Sequence, residues 1–128
     1  MVIDTDILID HFHGNAAATV FIEEALIAGS ELFISVATVA EILAGMRPGE
    51  EEDTEALLSL FSVCPADEPL ARMAGAYLNQ YAASHGLDLG DALIAATARA
   101  SASELYTRNL RHYPMDDIVV KAPYERGR

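Results

Sequence analysis

The side chains best suited to chemistry in this sequence are three carboxylates and one amide beside apolar segments. Asp4 stands at the C-terminal end of the apolar run Val2–Thr5, and Glu41, Asp91 and Asn109 also lie within or next to apolar patterns. Carboxylates that converge repel one another unless a cation neutralises them. Hard oxygen ligands select Mg²⁺, with Mn²⁺ as the alternative. The set therefore favours a metal site that activates water against a phosphate.

Each of these residues also has a purely structural interpretation. Asp4 can cap the helix that follows it, and Asp91 can stand third after an N-cap at Asp88. Asn109 can serve a turn, and Glu41 can be a solvated surface residue. A helix N-terminus favours the ionised carboxylate that a cation requires. For Asp91, the structural and chemical roles are therefore compatible.

The elements that must position these residues alternate between strands and helices. The apolar runs predict strands at Val2–Thr5, Leu32–Ser35, Val63–Cys64, Leu105–Thr107 and Ile118–Val120. The helical patterns cover Ile7–Phe12, Ala16–Ala28, Ala37–Met46, Thr54–Phe61, Pro69–Ser84 and Asp91–Ala102. This alternation predicts an α/β fold with a mainly parallel central sheet flanked by helices. Asp4 and Asn109 follow strands, where such sheets bind their ligands.

The helix that carries Glu41 has two apolar or small-residue stripes. The spacing i, i+3, i+7 predicts a core stripe of Val36, Val39, Leu43 and Met46. The second stripe, at i, i+4, i+8, consists of Ala37, Glu41 and Gly45. The small neighbours of Glu41 leave room around its carboxylate.

Length and composition limit the classes of protein to consider. The chain has 128 residues, which fits one domain over residues 1–128. A single cysteine, Cys64, excludes an internal disulfide and favours a reduced cytoplasm. We see no signal peptide and no apolar run long enough for a membrane span. The formal net charge of −12 is unusual for a nucleic-acid binder, but it suits a pocket that holds cations or a basic protein partner.

Four segments in order resemble the motifs of PIN-domain ribonucleases. They are Val-Ile-Asp-Thr-Asp-Ile-Leu-Ile-Asp at residues 2–10, Ala-Glu-Ile-Leu-Ala-Gly at 40–45, Gly-Asp-Ala-Leu-Ile-Ala-Ala-Thr-Ala at 90–98 and Leu-Tyr-Thr-Arg-Asn-Leu-Arg-His-Tyr at 105–113. Each segment alone is a weak signal, but four in order across nearly the whole chain are fairly specific. The short chain is similar to VapC-type toxins rather than to larger PIN nucleases.

This resemblance implies a single PIN-like domain that acts as a magnesium-dependent endoribonuclease. It carries a metal-binding role onto Asp4, Glu41 and Asp91. Asn109 stands where the family often has Asp, which puts a second metal ion in question. Thr107 is expected to orient a metal ligand or a water. The resemblance also implies an RNA substrate, a homodimer and a cognate antitoxin that silences the toxin.

The charge of the chain adds a prediction about that antitoxin. Its C-terminal segment should be apolar and carry an Arg or Lys, because an arginine pairs with two carboxylates at once. We expect an amphipathic helix to bind in an apolar groove with walls at Ile7–Phe12 and Val39–Met46.

Two other functions compete with this prediction. A two-component receiver domain has similar length and acidity, and Lys121 after an apolar run resembles its last strand. It would need a phosphoacceptor after the middle strand, for which Asp67 is the only candidate, and it leaves Glu41 and Asp91 without a role. The second alternative is a PIN-fold binding module that has lost catalysis, which the Asn109 substitution allows.

Overall fold

The structure, a computed structural model, describes residues 1–125 of the chain. The strands are β1 (Val2–Ile3), β2 (Phe33–Ser35), β3 (Ser62–Cys64), β4 (Leu105–Tyr106) and β5 (Val120–Lys121). The helices are α1 (Thr5–Phe12), α2 (Ala16–Ile27), α3 (Val36–Ala44), α4 (Glu51–Leu58), α5 (Glu68–His85) and α6 (Leu89–Ala100). A short 3-10 helix at Leu110–His112 follows β4. Each predicted element is present, with ends that differ by a few residues.

All five strands are parallel and lie in the order β3-β2-β1-β4-β5. The first strand is therefore central: Val2 pairs with Phe33 of β2 on one side and with Leu105 of β4 on the other. The chain builds outward from β1 to β3, then crosses back to add β4 on the opposite side. The predicted α/β architecture with a parallel sheet is confirmed.

The side chains of successive residues in the central strand are buried on opposite faces of the sheet. Val2 belongs to the core that α5 and α6 cover, whereas Ile3 belongs to the core beneath α1, α2 and α4. Both side chains are fully buried, as expected of a strand covered on two sides. The sheet is thus the middle layer of a three-layer sandwich, and its carboxyl edge is left for polar residues.

The ends of α5 and α6 carry caps of the usual residue types. Asp67 caps α5 by accepting a hydrogen bond from the Leu70 amide, and Asp88 caps α6 by accepting one from the Asp91 amide. Gly86 ends α5 with a φ of +65°, in the left-handed region that favours glycine. These caps fix where α6 begins, and with it the position of Asp91.

The core stripe predicted for α3 is only partly present: Val39 packs against the core and Met46 is half-buried, but the prediction is wrong for the other two residues. Val36 and Leu43 are exposed, and the residues that α3 buries are Ala37 and Thr38. The reason is close packing: α3 lies against the alanine-rich α6, so small side chains occupy that contact, and Val36 and Leu43 turn outward. The same rotation points Glu41 toward the start of α6.

The described residues contain no helix that is both long enough and apolar enough to cross a membrane.

Candidate active site

The predicted site lies where the order of the strands changes direction. β1 sits between β2 and β4, and the chain leaves the carboxyl ends of β1 and β4 at Asp4 and Thr107. Loops that leave adjacent parallel strands toward opposite sides open a crevice between them, where α/β proteins bind ligands. The topology therefore brings together residues separated by about a hundred positions.

A pocket of about 220 Å³ occupies this crevice. Its lining residues are Asp4, Thr5, Asp6, Ile9, Glu41, Asp88, Asp91, Asn109 and His112. Four of the five residues predicted from the sequence are thus side by side. The fifth, Thr107, is fully buried beneath the pocket and contacts Asp4.

Asp4 is held by three hydrogen bonds. Its Oδ1 accepts from the Thr5 amide at 2.7 Å, and its Oδ2 accepts from the Thr107 hydroxyl at 2.7 Å and from the Tyr113 hydroxyl at 3.0 Å. Burial raises the pKa of this carboxyl to about 6, with a further contribution from Asp6, against the opposing effect of its donors. Asp4 caps α1 and also lines the pocket, so its structural role does not exclude the predicted chemical one.

Asp91 faces Asp4 from the first turn of α6. Its carboxylate lies 3.4 Å from the His112 Nδ1 and 3.4 Å from the Tyr113 hydroxyl. Burial, together with the nearby Asp88 and Asp4 carboxylates, raises the pKa of Asp91 to about 6. Raised pKa values at two facing carboxyls mean that their ionised forms are disfavoured here, and a bound cation would stabilise those forms.

Glu41 reaches the pocket from α3 and rests on Gly90. Its Oε1 accepts a hydrogen bond of 2.9 Å from the Thr5 hydroxyl, which is also bonded to Thr38 at 2.9 Å. A Cβ at Gly90 would lie 3.5 Å from Glu41 Oε2 and 3.4 Å from Asp88 Oδ1. The glycine therefore gives the carboxylate room at the N-terminus of α6.

Sequence reasoning missed Asp6 and Arg108. The Arg108 amide donates to Asp6 Oδ2 at 3.1 Å, and the guanidinium lies 3.8 Å from Asp6 and 3.1 Å from Asp10. Burial raises the pKa of Asp6, while Arg108 opposes that shift. Within residues 1–125, the buried Asp6 Oδ1 has no hydrogen-bond partner. The spacing Asp-x-Asp was a usable signal for Asp6, but no local pattern places Arg108 over α1.

The pocket suits a hydrated divalent cation. Its donors are oxygen atoms of Asp4, Glu41, Asp91 and Asn109, which match the preference of Mg²⁺ and Mn²⁺. Among the described residues, no three carboxylate, imidazole or thiol side chains are arranged to hold an ion directly. Mg²⁺ commonly keeps several waters and binds through one or two carboxylates, so this open arrangement fits that ion.

The receiver-domain alternative fails on topology. A phosphoacceptor would follow the middle strand, but the strand before Asp67 is β3, which lies at the edge of the sheet. Asp67 itself is the N-cap of α5 and is absent from the pocket that the acids line.

Fold and site together define an α/β protein with an acidic pocket at the carboxyl edge of a five-stranded parallel sheet. The chain belongs to the PIN-domain family, whose sequence profile matches residues 1–118. It is 42% identical over 125 residues to ribonuclease VapC10 of Mycobacterium tuberculosis, covering 97% of this chain and 92% of that protein. It is 40% identical over 114 residues to ribonuclease VapC19 of the same organism, covering 88% and 91%.

Solved structures agree with this assignment. A chain of a toxin–antitoxin complex from Klebsiella pneumoniae superposes with a TM-score of 0.76 and 31% identity, covering 97% of this chain and 98% of the other. The predicted membership of the PIN family is therefore confirmed.

Proposed function

We propose that this protein is a divalent-metal-dependent endoribonuclease, with Mg²⁺ as the preferred ion, and the toxin of a toxin–antitoxin pair. The observation that carries the proposal is the pocket lined jointly by Asp4, Glu41, Asp91 and Asn109. The ribonuclease names of its relatives support it. We extend the assignment to one domain over residues 1–128 acting in the cytoplasm.

Each residue of the pocket has a distinct task in this proposal. Asp4, Glu41 and Asp91 would hold the hydrated cation, in part through its waters, and Asn109 would contribute a neutral oxygen. When bound, a divalent cation supplies activation of water and charge stabilisation at the scissile phosphate. Thr107 keeps the Asp4 carboxylate in position through its 2.7 Å hydrogen bond. Because Asn109 carries no charge, we propose one tightly held ion rather than two.

A cleavage assay with matched variants tests this function. Wild-type protein should cut single-stranded RNA with Mg²⁺ or Mn²⁺ and lose all activity in excess EDTA. Asp4→Asn and Asp91→Asn should abolish cleavage while the protein stays folded, because each removes a charged ligand but keeps the size. Asp67→Asn is the control, since Asp67 is a helix N-cap like Asp4 but lies outside the pocket. Full cleavage in EDTA, or near-normal cleavage by Asp91→Asn, would contradict the proposal.

The same assay decides the second candidate function. A catalytically silent PIN-fold module would bind RNA or its protein partner and cleave nothing with either metal. The neutral Asn109 is the observation that favours this candidate. Restoring the acid by Asn109→Asp and recovering cleavage would identify the loss of that carboxylate as its cause.

An apolar groove beside the pocket supports the antitoxin partner. Its volume is about 270 Å³, and its walls come from α1, α3 and α4, with Ile9, Phe12, Ile42, Met46 and Leu57 among the lining residues. Two of these walls include residues of the predicted segments Ile7–Phe12 and Val39–Met46, which supports the prediction. Ile9 and Glu41 line both the groove and the acidic pocket. A helix bound in the groove can therefore extend a cationic side chain into the pocket.

The outward stripe of α3 is our candidate for the homodimer contact. Val36, Ala40 and Leu43 lie on one face at i, i+4, i+7 spacing, and all three are exposed. The core of this chain does not use that stripe. Sedimentation of wild type against Leu43→Glu tests the proposal, which predicts that the variant shifts from dimer to monomer.

A further inference from the structure

Tyr113 joins the two carboxylates that face each other across the pocket. Its hydroxyl lies 3.0 Å from Asp4 Oδ2 and 3.4 Å from Asp91 Oδ1. Asp4 follows β1 and Asp91 belongs to the first turn of α6, so the phenol connects elements that are distant in sequence. One proton shared between two acceptors makes a three-centre hydrogen bond, stronger toward the nearer oxygen.

The ring that carries this hydroxyl is firmly placed. Tyr113 is 4% exposed and packs in the core that includes Val2, Ala92 and Leu105. Its amide donates to the Leu110 carbonyl at 3.1 Å, closing the turn of the 3-10 helix. A ring held by both core and backbone fixes its hydroxyl in space, and its burial keeps it from touching an RNA substrate.

Counting acceptors shows what the hydroxyl does to Asp4. A carboxylate offers about four lone-pair positions. The Thr5 amide uses one on Oδ1, while Thr107 and Tyr113 use both on Oδ2. The remaining position is on Oδ1. Tyr113 therefore completes the set of donors that ties Oδ2 to the protein and leaves Oδ1 to bind a ligand.

We propose that the Tyr113 hydroxyl is a positioning group that fixes the orientation and separation of the Asp4 and Asp91 carboxylates for a divalent cation. The inference rests on the proposed function for the presence of that cation. It goes beyond that function by assigning a role to a residue that touches neither substrate nor ion. Loss of a group that orients metal ligands typically weakens metal binding by about 10- to 100-fold.

The chain provides a matched control for this role. Tyr77 is also buried, at 5% exposed, and its hydroxyl donates to Asp117 at 2.8 Å, outside the pocket. Tyr77→Phe and Tyr113→Phe therefore remove the same atom from two similar environments. Only Tyr113→Phe leaves the two pocket carboxylates without their common donor.

The test is a titration of metal-free protein with Mn²⁺, followed by electron paramagnetic resonance of the free ion. Tyr113→Phe should raise the Mn²⁺ dissociation constant by about tenfold or more, and Tyr77→Phe should leave it within about twofold of wild type. Equal Mn²⁺ affinity of Tyr113→Phe and wild type would overturn the inference alone. If wild type binds no Mn²⁺, or if Asp91→Asn binds Mn²⁺ as tightly as wild type does, the proposed metal site is wrong. The inference about Tyr113 is then wrong as well.

A spectroscopic signal keeps the test decisive if Tyr113→Phe does not fold. Mn²⁺ binding to carboxylates bonded to Tyr113 should change the near-ultraviolet absorption of a tyrosine. The change should appear in wild type and persist in Tyr77→Phe. Saturable Mn²⁺ binding without any such change in either protein would overturn the role of Tyr113.

Discussion

The Thr107 hydroxyl donates a 2.7 Å hydrogen bond to Asp4 Oδ2 across 103 positions of sequence. The Thr107 hydroxyl oxygen in turn accepts a 3.0 Å hydrogen bond from the Asn109 amide. Thr107 is fully buried, so it connects the first strand and the loop after β4 without reaching solvent. Its predicted role, to orient a ligand of the cation, has a direct geometric basis in this contact.

Thr107→Val should therefore lower cleavage by about 10- to 100-fold, because it keeps the shape of the side chain but removes the donor to Asp4. The free energy of unfolding should fall by about 1 kcal/mol for the lost hydrogen bond. Thr107→Ser is the matched control, since it keeps the hydroxyl and loses only a methyl group. Cleavage rates and urea melts of both variants are the measurements. Equal loss of cleavage in both would show that packing, not the hydrogen bond, matters at this position.

The stability of the metal-free protein should depend on pH through Asp4 and Asp91. Folding raises the pKa of each from 3.8 to about 6, so each binds its proton more tightly in the folded state. Their contribution to stability is then fully present below about pH 4 and is lost as pH rises through about 6. In excess chelator, Asp91→Asn should be more stable than wild type at pH 8 and lose most of this advantage at pH 4.5.

The expected gain for Asp91→Asn at pH 8 is about 1 kcal/mol, after allowing for solvent screening of a partly exposed group. Thermal melts should show a rise of roughly 4 °C. Asp67→Asn, at a helix cap outside the pocket, should show no such rise. Saturating Mg²⁺ should reverse the order at pH 8, because only wild type gains from binding the ion. A gain of the same size at both pH values would contradict the electrostatic explanation.

Antitoxin inhibition should weaken as Mg²⁺ rises, since an arginine in the pocket competes with the ion for the same oxygens. The measurement is cleavage by the purified complex over a range of Mg²⁺ concentrations. Replacing the arginine of the antitoxin by alanine should leave a complex whose residual inhibition no longer responds to Mg²⁺. If both complexes are equally inhibited and their inhibition is equally insensitive to Mg²⁺, the antitoxin blocks access to the pocket sterically.

A groove variant separates the apolar part of that contact from the ionic part. Met46 lines the groove but not the acidic pocket. Met46→Glu should weaken antitoxin binding by about tenfold or more, because it replaces a buried apolar contact by a charge. Cleavage by the free protein should be unchanged. Undiminished affinity, measured by calorimetry, would place the antitoxin elsewhere.

Gly90 should accept alanine but not a branched residue. The nearest atoms to an added Cβ are at 3.4 and 3.5 Å, which is ordinary contact. Gly90→Ala should keep cleavage and stabilise the protein by about 0.5 kcal/mol, since glycine is unfavourable within a helix. Gly90→Val should displace Glu41 and lower cleavage by about tenfold. Unfolding melts and cleavage rates of both variants are the measurements. A large loss of cleavage in Gly90→Ala would mean that the pocket tolerates no added volume at this position.

The sequence predicts the pocket residues at the ends of strands better than the residues whose positions depend on tertiary contacts. Asp4 follows a buried strand and Asn109 lies just beyond another, and parallel strands bring their carboxyl ends to one edge. Tyr113 belongs to a recognised motif, but the direction of its hydroxyl depends on the 3-10 turn before it. The pairing of Arg108 with Asp10 likewise requires tertiary contact.

The incorrect prediction of which α3 residues face the core has a different origin. Apolar spacing identifies the stripe of Val36 and Leu43 but not what covers it. Ala37 and Thr38 face the interior because close packing against α6 favours small side chains. A partner surface and a core surface are both apolar, so periodicity alone cannot separate them.

The central position of β1 has a consequence for the chain during its own synthesis. The first strand emerges first from the ribosome, yet its neighbour β4 and the residues Thr107 and Tyr113 come near the end of the chain. A nascent chain that has completed only β1, β2 and β3 carries Asp4 and Glu41 without the elements that orient them. A translation product that stops before β4 therefore lacks the Thr107 and Tyr113 hydroxyls that hold Asp4, so the pocket is complete only after β4 and the 3-10 helix have been synthesised.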